Sequence, residues 1–142
     1  MSALPEQYDY LGASSTGYWS RATPTTYSAE WLRDALGELD ELRRLDNDWD
    51  SYGSPPPTPD AIRKARELIL RLAEECAPTP SIRPFGGGGI QIESGTSRSE
   101  LQLTVDPNGQ AFFLALAPQG QIEEGELLSN ALPNLLARVL LS

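Results

Sequence analysis

The apolar spacing of this chain changes period once, near Pro78 and Pro80. Before those prolines, apolar residues recur three and four apart, as on one face of a helix; after them they alternate, as on one face of a strand. A further helical stripe returns at the C-terminal end. Helix, helix, sheet, helix is an order that stacks helices on one face of a sheet, because each amphipathic surface needs another to cover it. The expected class is therefore α+β: two N-terminal helices and a C-terminal helix packed on a small antiparallel meander of three or four strands.

The first helix is expected to start at Ser28 as N-cap, with Tyr27 and Leu32 flanking it and Glu30 in the first turn. Its stripe is Leu32, Leu36, Leu39 and Leu42, running to about Leu45, with Arg43 and Arg44 in the last turn. The second helix is the better signalled. Thr58 caps it, Pro59 takes the first helical position and Asp60 sits in the first turn. Ile62, Ala65, Ile69, Leu72 and Cys76 form its apolar face, which makes Cys76 a small core residue.

Beyond the prolines, Ser81 to Phe85 reads as a short edge strand, since Pro84 is barred from a central one. Residues 90–93 and 101–105 alternate, and Pro107, Asn108 and Gly109 signal a turn. Residues 111–117 are apolar on both faces and so predict a central or doubly covered strand. Residues 119–126 read as an acidic turn region, with a short extended piece at Leu127 and Leu128. Ser129 or Asn130 caps the last helix, whose stripe is Leu132, Leu135, Leu136, Val139 and Leu140.

A length of 142 residues suits one domain, expected over residues 27–142, with residues 1–26 as a flexible tail. That tail carries Tyr8, Tyr10, Leu11, Tyr18 and Trp19 among small polar residues, which leaves open a second reading as a segment that docks on a partner. The 12 glycines and 12 prolines predict a loop-rich fold. The N-terminus lacks the basic and apolar pattern of a signal peptide, and no apolar stretch approaches a membrane span, so a cytoplasmic location is expected.

Net charge is −9, so bare phosphate is repelled and direct nucleic-acid binding is not expected. A basic protein partner is the better electrostatic match. The acidity is concentrated: residues 28–57 hold eight acids and three bases, whereas residues 58–76 hold four of each. With no histidine there is neither a histidine base nor a histidine metal ligand, and with one cysteine there is no internal disulfide. Carboxylate pairs such as Glu93 with Glu100, or Glu123 with Glu124, occur in any acidic protein and point to no reaction.

The connection between the first two helices is unlike an ordinary loop. It holds Asp46, Asp48 and Asp50 around Trp49 and Tyr52, then a proline run at 55–57. The three aspartates match the opening of a calcium loop, but Ser51 stands where that loop needs glycine and Pro57 where it needs glutamate. Asp and Asn capping nearby backbone is the simpler reading. Trp49 and Tyr52 are expected to anchor the loop with their polar tips exposed, or to serve as anchors for a partner. The four glycines at 86–89 lead into a strand and lack the lysine of a phosphate loop, so they predict a hairpin turn or bulge.

The run 47–53 (Asn-Asp-Trp-Asp-Ser-Tyr-Gly), the proline spacer, residues 59–62 (Pro-Asp-Ala-Ile) and the later Gly-Gly-Ile-Gln-Ile-Glu at 88–93 together resemble a group of small bacterial proteins. Those proteins pair a Trp-Asp-x-Tyr-Gly segment with that strand, and the likeness spans about residues 39–116. An aromatic residue commonly follows the glutamate in the group; Ser94 departs from this. The resemblance implies one bacterial domain and brings no catalytic residue and no cofactor.

These features point to a small acidic interaction protein: an antitoxin-like inhibitor, an adaptor or an accessory subunit. Its expected partner-binding residues are Asp46, Asp48, Trp49, Asp50 and Tyr52, with Tyr18 and Trp19 from the tail. No catalytic, metal or cofactor residue is assigned. The alternative is a small-ligand-binding or hydrolytic domain with its site between the Trp49/Tyr52 loop and the glycine run. A homodimer through sheet edges or the terminal helix remains open.

Overall fold

In the computed structural model, residues 25–128 and 130–140 are described, those of 25–29 as backbone only. The order is α1 (Thr25–Leu42), α2 (Pro59–Glu74), β1 (Ser81–Phe85), β2 (Gly89–Gly95), β3 (Glu100–Val105), β4 (Ala111–Leu116), β5 (Ile122–Glu126) and α3 (Leu132–Val139). The five strands form one antiparallel sheet in sequence order. The α+β class holds. The meander has five strands where three or four were expected, because residues 122–126 form a strand rather than continuing the acidic turn. A tight turn at 117–120 reverses the chain and sets Ile122 opposite Leu116.

α2 forms where its sequence signals place it. The Thr58 hydroxyl accepts from the Ala61 amide, Pro59 opens the helix and Asp60 lies in the first turn. Its end differs from expectation. The helix stops at Glu74, and Ala77 donates to Leu72 O while Cys76 donates to Ala73 O, a Schellman closure. Cys76 takes the left-handed position, with φ +57°, and is exposed rather than in the core.

The other helix ends are also revised. α1 begins at Thr25, so Ser28 lies inside it and not at its cap; it ends at Leu42, and Arg43 and Arg44 pair with Asp40 from the turn beyond. α3 starts from Ala131 with no side-chain cap in place of the expected Ser129 or Asn130, and Pro133 lies in its first turn.

The helices lie on one face of the sheet: α1 packs on α2 and β1, α2 on β2 and β3, and α3 on β3. Ile90, Ile92, Leu101, Leu103, Val105, Ala111 and Ala115 point into that layer and are buried, together with Leu39, Ile69, Leu72, Leu132, Leu135 and Leu136 from the helices. Each such leucine or isoleucine contributes on the order of 1.5–3 kcal/mol by leaving water. Successive side chains alternate between faces, so the residues between these inward-pointing positions form the sheet's second face, and no helix covers that face among the described residues.

Candidate functional site

The loop joining α1 to α2 closes on itself. Asp48 Oδ1 accepts from the Gly53 amide at 2.6 Å, and the Asp48 amide donates to Ser54 O at 2.7 Å. Asp50 accepts from the Tyr52 amide, the Ser54 amide and, at 2.6 Å, the Ser54 hydroxyl. That hydroxyl, then the Tyr52 amide, holds the Asp50 carboxyl below its ordinary range. Asp48 and Ser51 take left-handed backbone, with φ of +67° and +65°, which these short polar residues tolerate in turns.

The aromatics of the loop divide. Trp49 is half-buried, and its indole N–H donates to Pro55 O at 2.8 Å, fastening the loop to the proline spacer. Tyr52 does not fasten the loop to the core: it stands 90% exposed. Asp46 is exposed. Tyr18 and Trp19 lie outside the described residues.

Thr58 ties this region to the sheet. Its hydroxyl donates to Pro107 O at 2.7 Å, and its amide donates to Gly88 O at 3.1 Å. The glycine run makes the β1–β2 turn, with Phe85 opposite Gly89. Gly88 has φ +99°, and a Cβ there would stand 3.3 Å from the Thr58 methyl. At Gly89 a Cβ would come within 2.5 Å of Val105 O, so only glycine lets β2 approach β3 this closely. The acidic loop and the glycine run are therefore neighbours, as Ser54 Oγ beside Gly86 also shows. Asp48 and Asp50 bond within their own loop, and Thr58 N–H to Gly88 O is the hydrogen bond that joins the two segments among the described residues. Glu93 lies elsewhere, bonded to Arg83 at 2.6 Å and Gln91 at 2.7 Å, beside Glu100 in a shallow depression of about 250 Å³. Among the described residues, no group of three or more Cys, Asp or Glu is placed to hold a metal ion.

The second face of the sheet is split in two. On β1, β2 and β3 it presents Arg83, Gln91, Glu93, Gln102 and Thr104, as expected of a surface in contact with water. On β4 and β5 it presents Phe112, Leu114, Leu116 and Ile122, which are 38, 38, 39 and 70% exposed. β4 is thus flanked by strands on both sides, as its sequence suggests, but among the described residues nothing covers its second face. Leu114, Leu116 and Ile122 line a groove of about 220 Å³ with Glu100 and Gln102. Glu124 and Glu126 follow Ile122 on the same face, opposite Leu114 and Phe112. A contiguous apolar stripe edged by charge is a common mark of an interaction surface.

The groove is remote from the acidic loop. The β1–β2 and β3–β4 turns share one end of the meander, with the loop against them; Leu116 and Ile122 flank the β4–β5 turn at the other. The groove offers apolar side chains together with the amide of Gln102 and the carboxylate of Glu100. Sequence reasoning missed this stripe as a site although its signal was present, in the two apolar faces of residues 111–117.

Fold and surface together define a two-layer α+β domain with an open, partly apolar sheet face. No protein-family model, no curated protein and no solved structure matches the chain. No helix among the described residues is long and apolar enough to cross a membrane.

Proposed function

We propose that this chain is a small acidic interaction protein that binds a protein partner through the open face of β4 and β5, acting as an antitoxin-like inhibitor, an adaptor or an accessory subunit. One observation carries the reading: four large apolar side chains, Phe112, Leu114, Leu116 and Ile122, stand together on a face that no element covers among the described residues. Covering Ile122 alone would contribute about 1–2 kcal/mol to binding. The net charge of −9 favours a basic partner, steering its approach at low salt. Of the loop residues, Tyr52 offers its ring to solvent, while Asp48, Trp49 and Asp50 bond within their own segment.

Co-purification from the native host tests this reading. A tagged chain should retain a stoichiometric protein, and the double variant Leu114→Ser/Ile122→Ser should lose it while keeping the wild-type circular dichroism spectrum. Retention of the partner by that variant would refute the assignment of the face.

A further inference from the structure

The uncovered stripe ends at a strand edge, and the hydrogen bonds flanking β5 show which of its backbone groups are in use. Ala117 donates to Gln121 O and Leu127 donates to Ala111 O, both at 2.8 Å. In an antiparallel ladder the bonded positions alternate, so Glu123 and Gly125 pair with β4 while the N–H and C=O of Ile122, Glu124 and Glu126 point away from it. No strand lies beyond β5 among the described residues. The same three residues carry their side chains on the open face, beside Leu116, Leu114 and Phe112.

We propose that β5 accepts an extended basic segment of the protein partner as a sixth strand, with Lys or Arg opposite Glu124 and Glu126 and an apolar residue opposite Ile122. The proposal rests on the reading of the open face as a partner surface. Main-chain pairing supplies affinity in such strand addition, and the alternate side chains supply selectivity. Charge decides the occupant. Glu123 is engaged by Arg138, 2.7 Å away on α3, and Glu126 accepts from Gln110 at 3.1 Å, whereas the Glu124 side chain has no ion pair or hydrogen bond among the described residues. A second copy is a poor occupant: antiparallel self-pairing about the centre of β5 sets Glu124 against Glu124, and like charges directly opposite destabilise a sheet. Glutamates that deter self-pairing at an edge also select a strand of opposite charge. An apolar partner side chain opposite Ile122 extends the stripe of Leu114 and Leu116 and covers the groove.

The test titrates the full chain with a capped heptapeptide, Thr-Lys-Thr-Lys-Thr-Ile-Thr, and with its counterpart carrying Glu for Lys, reading amide hydrogen exchange and side-chain chemical shifts. With the lysine peptide, exchange at the Ile122, Glu124 and Glu126 amides should slow about tenfold in alternation with unchanged Glu123 and Gly125, and binding should weaken as salt rises. Glu124→Lys should weaken the lysine peptide about tenfold and favour the glutamate peptide, with an unchanged circular dichroism spectrum showing that it folds. Shifts at Phe112, Leu114 and Leu116 without protection at the three amides would overturn strand addition and leave the open-face reading standing. Equal binding of both peptides would overturn the charge match. No response to millimolar peptide would overturn strand addition, and the open-face reading would then stand or fall on its own co-purification test.

Discussion

The Thr58 side chain ties the two layers of this architecture together. Its hydroxyl accepts from Ala61 at the start of α2 and donates to Pro107 O in the β3–β4 turn, so one atom joins helix and sheet. Loss of an N-cap costs about 1 kcal/mol. Loss of the bond to the partly buried Pro107 carbonyl costs about 1 kcal/mol more. Thr58→Ala should therefore destabilise the fold by about 2 kcal/mol, or about 8 °C in Tm for a chain of this size. Thr58→Ser keeps both bonds and gives up only a methyl near Gly88, so its cost should stay under about 0.8 kcal/mol. Thr58→Val keeps the methyl and loses both bonds, so it should fall with alanine. Urea unfolding followed by tryptophan fluorescence separates the three, as shifts in midpoint at constant slope. A valine variant as stable as wild type, or a serine variant as weak as alanine, would refute the assignment of stability to these two bonds.

Three other perturbations have signed outcomes. Asp50 has a folded pKa below its ordinary 3.8; the stability it contributes is present above that value and is lost as pH falls through the folded one. Asp50→Asn should thus be less stable than wild type at neutral pH, with the gap closing under acid, as read by urea midpoints across pH. Cys76 is exposed at a left-handed position, so the native chain should react with iodoacetamide without denaturant, and Cys76→Gly should raise stability by about 0.5 kcal/mol through relief of that backbone conformation. Gly89→Ala would press a methyl onto Val105 O and should cost about 3 kcal/mol, measured by thermal unfolding.

Much of the architecture is legible in residue spacing. Thr58, Pro59 and Asp60 mark α2 three times over, and the cap forms as written. Pro107 to Gly109 turns where its composition says, and the glycine run turns β1 into β2. The failures have physical reasons. Ile122–Glu126 contains three glutamates and a glycine, poor strand formers, and it is a strand because the preceding turn lays it along β4. Cys76 follows Leu72 at helical spacing, but the helix has already ended. The two apolar faces of β4 report which side chains favour burial and say nothing about what covers them; one set meets the helices and the other meets solvent. In the acidic loop, capping of backbone by Asp48 and Asp50 follows from their side-chain chemistry, whereas the contrast between a fastened Trp49 and a free-standing Tyr52 needed coordinates.

The most direct measurement places a photo-crosslinking amino acid at Ile122 in one variant and at Tyr52 in another, each produced in the native host. A partner that meets the open sheet face should be captured in high yield from position 122 and weakly from position 52. Capture from position 52 with none from position 122 would contradict it, and would return the recognition surface to the acidic loop.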